Sequence, residues 1–324
     1  MISFSALIIA QGKEELLTKC LDSLRPNGEK WQLVIVANGQ RLSEEFEAYL
    51  REMPVELTLI YSEVLLTPGK ARNLGLESCL GEWIFFIHED SYVLPHYWEV
   101  VLPLLKEPKM DVIGGPDTAA AGMNFFSRGL AVALSSPFCT GTTFARHRKL
   151  GRKMVFADEE KLSAGNLWVR KAALGEIKFP EDYTRSEDIL FLQKLSAHHS
   201  GMFYHPRLMV ARYRHENILT LFAPIFRSGY FRSRSMRENL SRDTLAFWLP
   251  SVFVLLHLIY FFRPEVFKSL TQLYLGIILA VSLGLSVKNR SFFSTPLVVV
   301  LHYFIVFTYG LGFLAERFKR LLGK

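Results

Sequence analysis

Two hydrophobic periods alternate along the first part of the chain. Short apolar runs rich in β-branched residues give way to segments whose apolar positions recur at helical spacing, and then the runs return. Residues 3–10 predict a strand, 14–24 a helix, 31–37 a second strand, 43–52 a second helix and 57–61 a third strand. Residues 71–80 then carry a helical pattern, with Leu74 and Cys79 near one apolar side and Gly81 as a C-terminal stop. Residues 83–87, Trp-Ile-Phe-Phe-Ile, read as a buried strand. Strands and helices alternating at these lengths predict an α/β fold with a mostly parallel, doubly wound sheet.

Beyond about residue 240 the polar positions thin out. Three apolar stretches, 245–262, 270–287 and 292–314, each reach the roughly 18 residues that suggest a membrane span. His257, Gln272 and His302 are their main polar interruptions, and none is a fixed charge. Arg227, Arg232, Arg234, Arg237 and Arg242 crowd in front of the first stretch, a pattern expected on the cytoplasmic side against anionic lipid. Three full spans would carry Arg317, Lys319, Arg320 and Lys324 to the far side. Two spans plus an interfacial or re-entrant segment would keep that tail inside. The N-terminus has no basic lead and too short an apolar run for a signal peptide, so the first 240 residues or so are expected to stay in the cytoplasm. The expected domains are 1–211, a basic interfacial segment 212–243, and a membrane region 244–324.

Composition sharpens this division. Half of the 324 residues are hydrophobic and mean hydropathy is +0.17, high for a soluble enzyme. The formal charge of +7 concentrates where the two regions meet. It argues for anionic lipid rather than nucleic acid, since no nucleic-acid motif accompanies it. Cys20, Cys79 and Cys139 have no metal-ligand spacing and read as reduced core residues.

Candidate chemistry gathers between residues 67 and 90. Lys70 and Arg72 would stand at a helix start, where backbone N–H groups and the helix dipole favour an anion. His88, Glu89 and Asp90 follow at the carboxyl end of a strand, the edge at which open α/β sheets bind ligands. Cations beside a strand-end carboxylate suggest a diphosphate bridged by a divalent metal. The glycine-rich dinucleotide fingerprint is missing, and Pro68-Gly-Lys70 is followed by Ala-Arg instead of the Ser or Thr of a P-loop.

The ordered set of motifs resembles the family 2 glycosyltransferases of GT-A fold, notably bacterial enzymes that extend lipid-linked saccharides. The matching pieces are Ala6-Leu-Ile-Ile-Ala-Gln11, Leu33-Val-Ile-Val-Ala-Asn-Gly39, Lys70-Ala-Arg-Asn-Leu-Gly75 and Gly81-Glu-Trp-Ile-Phe-Phe-Ile-His-Glu-Asp90. Gly114-Gly-Pro116, Ser186-Glu-Asp188 and the basic stretch from Arg212-Tyr-Arg-His215 to Arg227-Ser-Gly-Tyr230 follow. The resemblance covers about residues 1–240.

It implies a nucleoside-diphosphate sugar donor, UDP-sugar favoured, with Gln11, Asn38, Lys70, Arg72, Asn73, His88 and Glu89 around it. Asn38 stands where the family usually has an Asp, and His88-Glu89-Asp90 replaces the usual Asp-any-Asp. Asp90 matches the carboxylate that holds Mg²⁺ or Mn²⁺. If the strand geometry persists, Glu89 points away from its two neighbours. Asp188 aligns with the base that deprotonates the acceptor, Glu187 is a supporting acid, and Ser186 reads as an N-cap. Arg212, Arg214, His215, Arg227, Tyr230 and Arg232 would face a lipid-linked acceptor and anionic membrane lipids from an interfacial helix. The expectation is a membrane-attached inverting enzyme of polysaccharide synthesis at the inner membrane, its catalytic domain facing the cytoplasm. A non-catalytic nucleotide-sugar or lipid-saccharide binding subunit is the alternative, raised by Asn38 and His88 in place of acids.

Overall fold

The computed structural model describes residues 3–26, 28–198, 201–236, 247–289 and 292–323. Arg237, Arg242, Leu245 and Lys324, all named above, lie outside the described residues. Two compact units share the chain: Met1–Ala120 with Arg148–Tyr213, and Ala121–His147 with Arg214–Lys324.

The first unit opens with β1 (Phe4–Ala10), α1 (Glu14–Ser23), β2 (Trp31–Asn38), α2 (Glu44–Glu52), β3 (Glu56–Ser62), α3 (Pro68–Leu76) and β4 (Trp83–Ile87). β5 (Ser91–Val93), α4 (Tyr97–Leu105), β6 (Val112–Gly114) and β7 (Asp117–Ala119) follow. The chain then passes through α5 (Phe125–Leu134) and the single turn α6 (Pro137–Thr140) of the second unit. It returns for β8 (Val155–Phe156), β9 (Asn166–Arg170), the single turn α7 (Lys171–Leu174), α8 (Glu187–His198), β10 (Met202–Tyr204) and β11 (Val210–Arg212).

β1 and β2 are apolar and buried nearly throughout because helices cover both faces of the sheet, the condition under which parallel strands form. The eight-stranded sheet runs β3-β2-β1-β4-β9-β6-β10-β8. β9 is antiparallel to β4 and β6, and β8 to β10, while the remaining pairs are parallel. The sheet is therefore mixed but mostly parallel. Phe85 of β4 stacks on Trp168 of β9 with ring centroids 4.3 Å apart, locking the antiparallel strand into the centre. A second, three-stranded sheet, β5-β11-β7, has β11 in the middle.

Local chemistry sets the element ends. Ser43 caps α2 by accepting from Phe46 N–H, with Glu44, Glu45 and Glu47 in the first turn. α3 starts at Pro68, three residues before the sequence expectation, because Thr67 caps it and Pro68 opens it. It ends at Leu76, so Gly81 does not stop it. Gly81 is needed instead for close packing: a Cβ there would lie 2.3 Å from the carbonyl carbon of Phe4. Cys20 and Cys79 are buried thiols, and neither they nor Cys139 forms a disulfide.

The second unit continues with α9 (Ile218–Ser235), α10 (Leu249–Phe262), α11 (Pro264–Lys288) and α12 (Thr295–Leu321). Leu130 and Ala133 of α5 pack with Leu221 of α9 and with Val298, Leu301 and Ile305 of α12. Against the expected boundaries at 211/212 and 243/244, the units divide after Tyr213 and around Ala121–His147, an excursion whose apolar side packs on α12. Glycines bring α9 and α12 together. A Cβ on Gly312 would meet Phe226 O at 2.0 Å, and one on Gly229 would meet Tyr309 O at 2.0 Å. Thr271–Lys288 and Phe292–Leu321 are long and apolar enough to cross a membrane. The stretch 245–262 forms a helix of only 14 described residues, shorter than a span requires.

Candidate active site

The carboxyl ends of β1 and β4 and the tip of β11 converge on one group of charges. After β4 the chain turns at once, Ser91 N–H bonding His88 O at 3.1 Å, so His88, Glu89 and Asp90 do not continue the strand alternation. Glu89 is buried, and its Oε2 accepts from Gln11 N–H at 2.8 Å, tying the end of β1 to the end of β4. Burial pushes the Glu89 carboxyl up, against the backbone groups of Gln11 and Lys13 that bond its charged form. Glu89, expected in the donor set, holds the Gln11 backbone and leaves the Gln11 side chain exposed.

Asp90 carries the central interaction. Its Oδ1 accepts from Arg212 Nε at 3.1 Å, and its backbone O accepts from Tyr213 N–H at 2.9 Å. Register explains the meeting, because β11 pairs antiparallel with β5 and sets Arg212 opposite Ser91, the neighbour of Asp90. Burial opposes the Asp90 charge, but Arg212 and Lys13 hold its carboxyl below the usual range. Burial likewise works against Arg212, yet Asp90, Asp117 and Asp188 keep its guanidinium above its ordinary value. Arg212 is expected at the membrane interface. The structure puts it in the first unit, on Asp90.

His88 lies beside them, its basicity lowered to about 3 by burial, helped by Arg212 and Arg72 and opposed by Asp90 and Asp188. The imidazole is neutral at physiological pH. It packs where only a glycine leaves room: a Cβ on Gly165 would come within 2.3 Å of His88 Cδ2. Beneath this turn a chain of bonds runs from Trp168 Nε1 to Tyr97 Oη (2.8 Å), from Tyr97 to Asn166 Oδ1 (2.6 Å) and from Asn166 Nδ2 to Leu208 O (2.8 Å). Gly165, Tyr97 and Asn166 escaped the sequence reading because nothing local in their segments marks them.

Asp188 sits in the first turn of α8, where its carboxylate acts on both His88 and Arg212. Ser186 precedes α8, and its backbone O accepts from Leu190 N–H at 3.3 Å, as an N-cap carbonyl does. At φ +65° it is the one non-glycine residue in the left-handed region among the described residues, and this backbone kink aims the start of α8.

Three other expected site residues find partners inside the protein. Arg72 lies in the second turn of α3, buried, with Nη1 2.6 Å from Glu187 Oε1 and its guanidinium 5.2 Å from the Phe179 ring centroid. Asn73 clamps the backbone N–H and O of Phe179. Asn38 does the same to Leu66, donating at 3.0 Å and accepting at 2.7 Å. These side chains brace the walls around the site. The start of α3 is also covered, since a Cβ on Gly69 would meet Pro180 O at 2.1 Å. Lys70, in the first turn of α3, stays exposed.

The metal expectation meets a sparse donor set. No group of three or more His, Cys, Asp or Glu that could hold a metal exists among the described residues. Asp90 offers one hard carboxylate, which suits a divalent cation whose other ligands are oxygens from a bound diphosphate.

Residues 5–177, just over half of the chain, match the family model described as Glycosyl transferase family 2. The chain belongs to this family. A curated relative, the amylovoran biosynthesis glycosyltransferase AmsE of Erwinia amylovora, is 27% identical over 191 residues, covering 53% of this chain and 70% of AmsE. The mannosyltransferase PcManGT of Pyrobaculum calidifontis, solved with GDP-Man and Mn²⁺, superposes with a TM-score of 0.58 at 12% identity, over 99% of this chain and 87% of that one. S. aureus TarS 1-349, solved with UDP-GlcNAc, gives 0.53 at 14% identity, over 98% and 92%. At such identities the two structures show the fold, the GT-A arrangement. In this family 2 glycosyl transferase, His88 and Arg212 flank Asp90.

On the second unit, Arg227 and Tyr230 lie on α9, Arg227 exposed and Tyr230 half-buried. Arg214 and His215 precede the helix, and His215 O accepts from Ser127 Oγ at 2.9 Å. Arg232 is not an exposed interfacial cation: it is buried, its guanidinium 4.1 Å from the ring centroid of Phe247. Its neighbour Ser233 bonds the buried Glu316 at 2.7 Å.

Proposed function

We propose that this chain is a membrane-attached, inverting glycosyltransferase. It moves a sugar from a nucleoside-diphosphate sugar to a lipid-linked saccharide in polysaccharide synthesis. The observation that carries this reading is the clustering of Asp90, His88, Arg212 and Asp188 at the strand ends of a family 2 domain. A carboxylate suited to a divalent metal on the donor's diphosphate thus shares a site with one suited to the acceptor's proton.

In the proposed reaction the acceptor hydroxyl attacks the anomeric carbon and Asp188 takes its proton. The bond from that carbon to the diphosphate oxygen breaks, and the nucleoside diphosphate leaves from the opposite face, inverting the centre. General-base assistance of this kind supplies about 10²–10⁴-fold in rate. The exposed Lys70 and Gln11 are assigned to the donor side. Asp90 would be the protein's ligand to Mg²⁺ or Mn²⁺, which when bound offsets the charge of the leaving diphosphate. The amylovoran relative supports a polysaccharide product, and complexes of the fold neighbours with UDP-GlcNAc and GDP-Man support a UDP- or GDP-linked donor.

Membrane attachment rests on α11 and α12, with the exposed Arg227 assigned to anionic lipid and the first unit to the cytoplasmic face of the inner membrane. With two spans the tail bearing Arg317, Lys319 and Arg320 stays on that same face. Calorimetric titration of the detergent-solubilised chain with UDP, GDP and dTDP, with and without Mn²⁺, tests the donor site. One of them binds at micromolar level. Silence from all three under both conditions would remove the assignment.

A further inference from the structure

The charge arrangement around Asp90 differs from a vacant metal site in one respect. A guanidinium already sits on the carboxylate. Arg212 comes from the middle strand of the small sheet, held by β5 on one side and β7 on the other, so its approach to Asp90 follows from strand register and not from a mobile loop. Its Nε donates to Asp90 Oδ1, and the Arg212 and Asp90 side chains are 27% and 14% exposed. The other groups facing this pair are His88, Lys13, Asp117 and Asp188. Ser91 Oγ also donates to Asp90 Oδ1, at 3.4 Å, so Arg212 is the charged contact on that oxygen, and Glu89 is engaged by the Gln11 backbone.

We propose that Arg212 is a resident counter-ion that holds the cation place at Asp90, so that a divalent metal reaches this carboxylate only by displacing the guanidinium. Two cations cannot share one carboxylate without mutual repulsion, and withdrawing Arg212 takes the ion-pair partner from a partly buried Asp90. In the nucleotide-free protein the pair is self-sufficient and metal affinity is low. When a diphosphate arrives, the planar fork of Arg212 gains a bidentate partner, and Asp90 is released to the metal. This last step rests on the proposed donor site; the competition at Asp90 does not. Metal loading thus becomes conditional on nucleotide.

The test uses Mn²⁺ alone, titrated into the nucleotide-free full chain and followed by the electron paramagnetic resonance of free Mn²⁺. Arg212→Gln tightens Mn²⁺ binding about tenfold or more, as expected when a full positive charge near 4 Å is removed. Arg212→Lys, which keeps the charge, stays close to wild type. Arg212→Gln with Asp90→Asn loses the gain. A merely structural Arg212 would make the Lys and Gln variants alike. If Arg212→Gln does not fold, Asp90→Asn alone decides the matter, because wild-type Mn²⁺ binding does not then run through Asp90 and is unchanged by the substitution. Wild-type affinity in Arg212→Gln, an undiminished gain in the double variant, or lost binding in Asp90→Asn would overturn the proposal. No nucleotide is present, so a failed donor titration leaves this result standing.

Discussion

Arg72 and Glu187 meet at 2.6 Å, joining α3 to α8 across 115 positions of sequence, with side chains only 6% and 9% exposed. The pair spans the two elements that carry Lys70 and Asp188, so it positions the site without touching the reacting groups. Removing one partner strands the other as a buried charge, which costs about 3–5 kcal/mol. Urea melts of Glu187→Gln and Arg72→Leu are expected to fall by that order. The double replacement Arg72→Met with Glu187→Leu is expected to recover most of the loss. Additive losses would show that the pair is not coupled.

Asp188→Asn keeps the shape of the side chain and removes the base. Transfer is expected to fall by about 10²–10⁴-fold, while the dissociation constant for the nucleoside diphosphate changes little. Single-turnover assays and calorimetry separate the two. Near-normal turnover would move the base to another residue.

Gly165 and His88 form a contact that a methyl group would break. Gly165→Ala puts a carbon 2.3 Å from His88 Cδ2, and such overpacking costs about 1–3 kcal/mol. In a His88→Ala background the same change should cost little. A double-mutant cycle read by thermal melts measures the coupling, and equal costs in both backgrounds would mean the imidazole sits elsewhere.

Gly312 lets α9 lie directly on α12. Gly312→Ala drives a Cβ onto Phe226 O and is expected to lower stability by about 1–3 kcal/mol. Gly276→Ala, a helical glycine with nothing within 4 Å of the added carbon, is expected to be neutral or slightly stabilising. Melting temperatures in one detergent compare them directly.

The parallel half of the sheet was legible in the sequence because its signals are local. β1, β2 and β4 are long apolar runs, and Ser43 caps α2 within its own segment. Periodicity and capping act over a few residues, so one stretch of chain suffices to state them. β5, β7 and β11 are three residues each, too short to leave a periodic trace, and they exist because of one another's hydrogen bonds. That small sheet carries Arg212 to Asp90, and so the central ion pair of the site was out of reach. A side chain's chemistry is printed in the sequence but its partner is not. Arg72, Asn38 and Asn73 carry groups suited to a diphosphate or a nucleoside, and only the folded chain shows that they also engage Glu187, Leu66 and Phe179. Asp188 could be singled out because its motif, Ser186-Glu-Asp188, is contiguous. Gly165 was missed because its reason, the ring of His88, is 77 positions away, and burial of a polar or aromatic group is settled by distant chain packing over it. The sequence by itself thus determined the α/β alternation, the apolar C-terminal region and the identity of the acids. The tertiary structure alone decided which of those charges are paired, because pairing depends on register and approach between segments that the chain's local order does not encode.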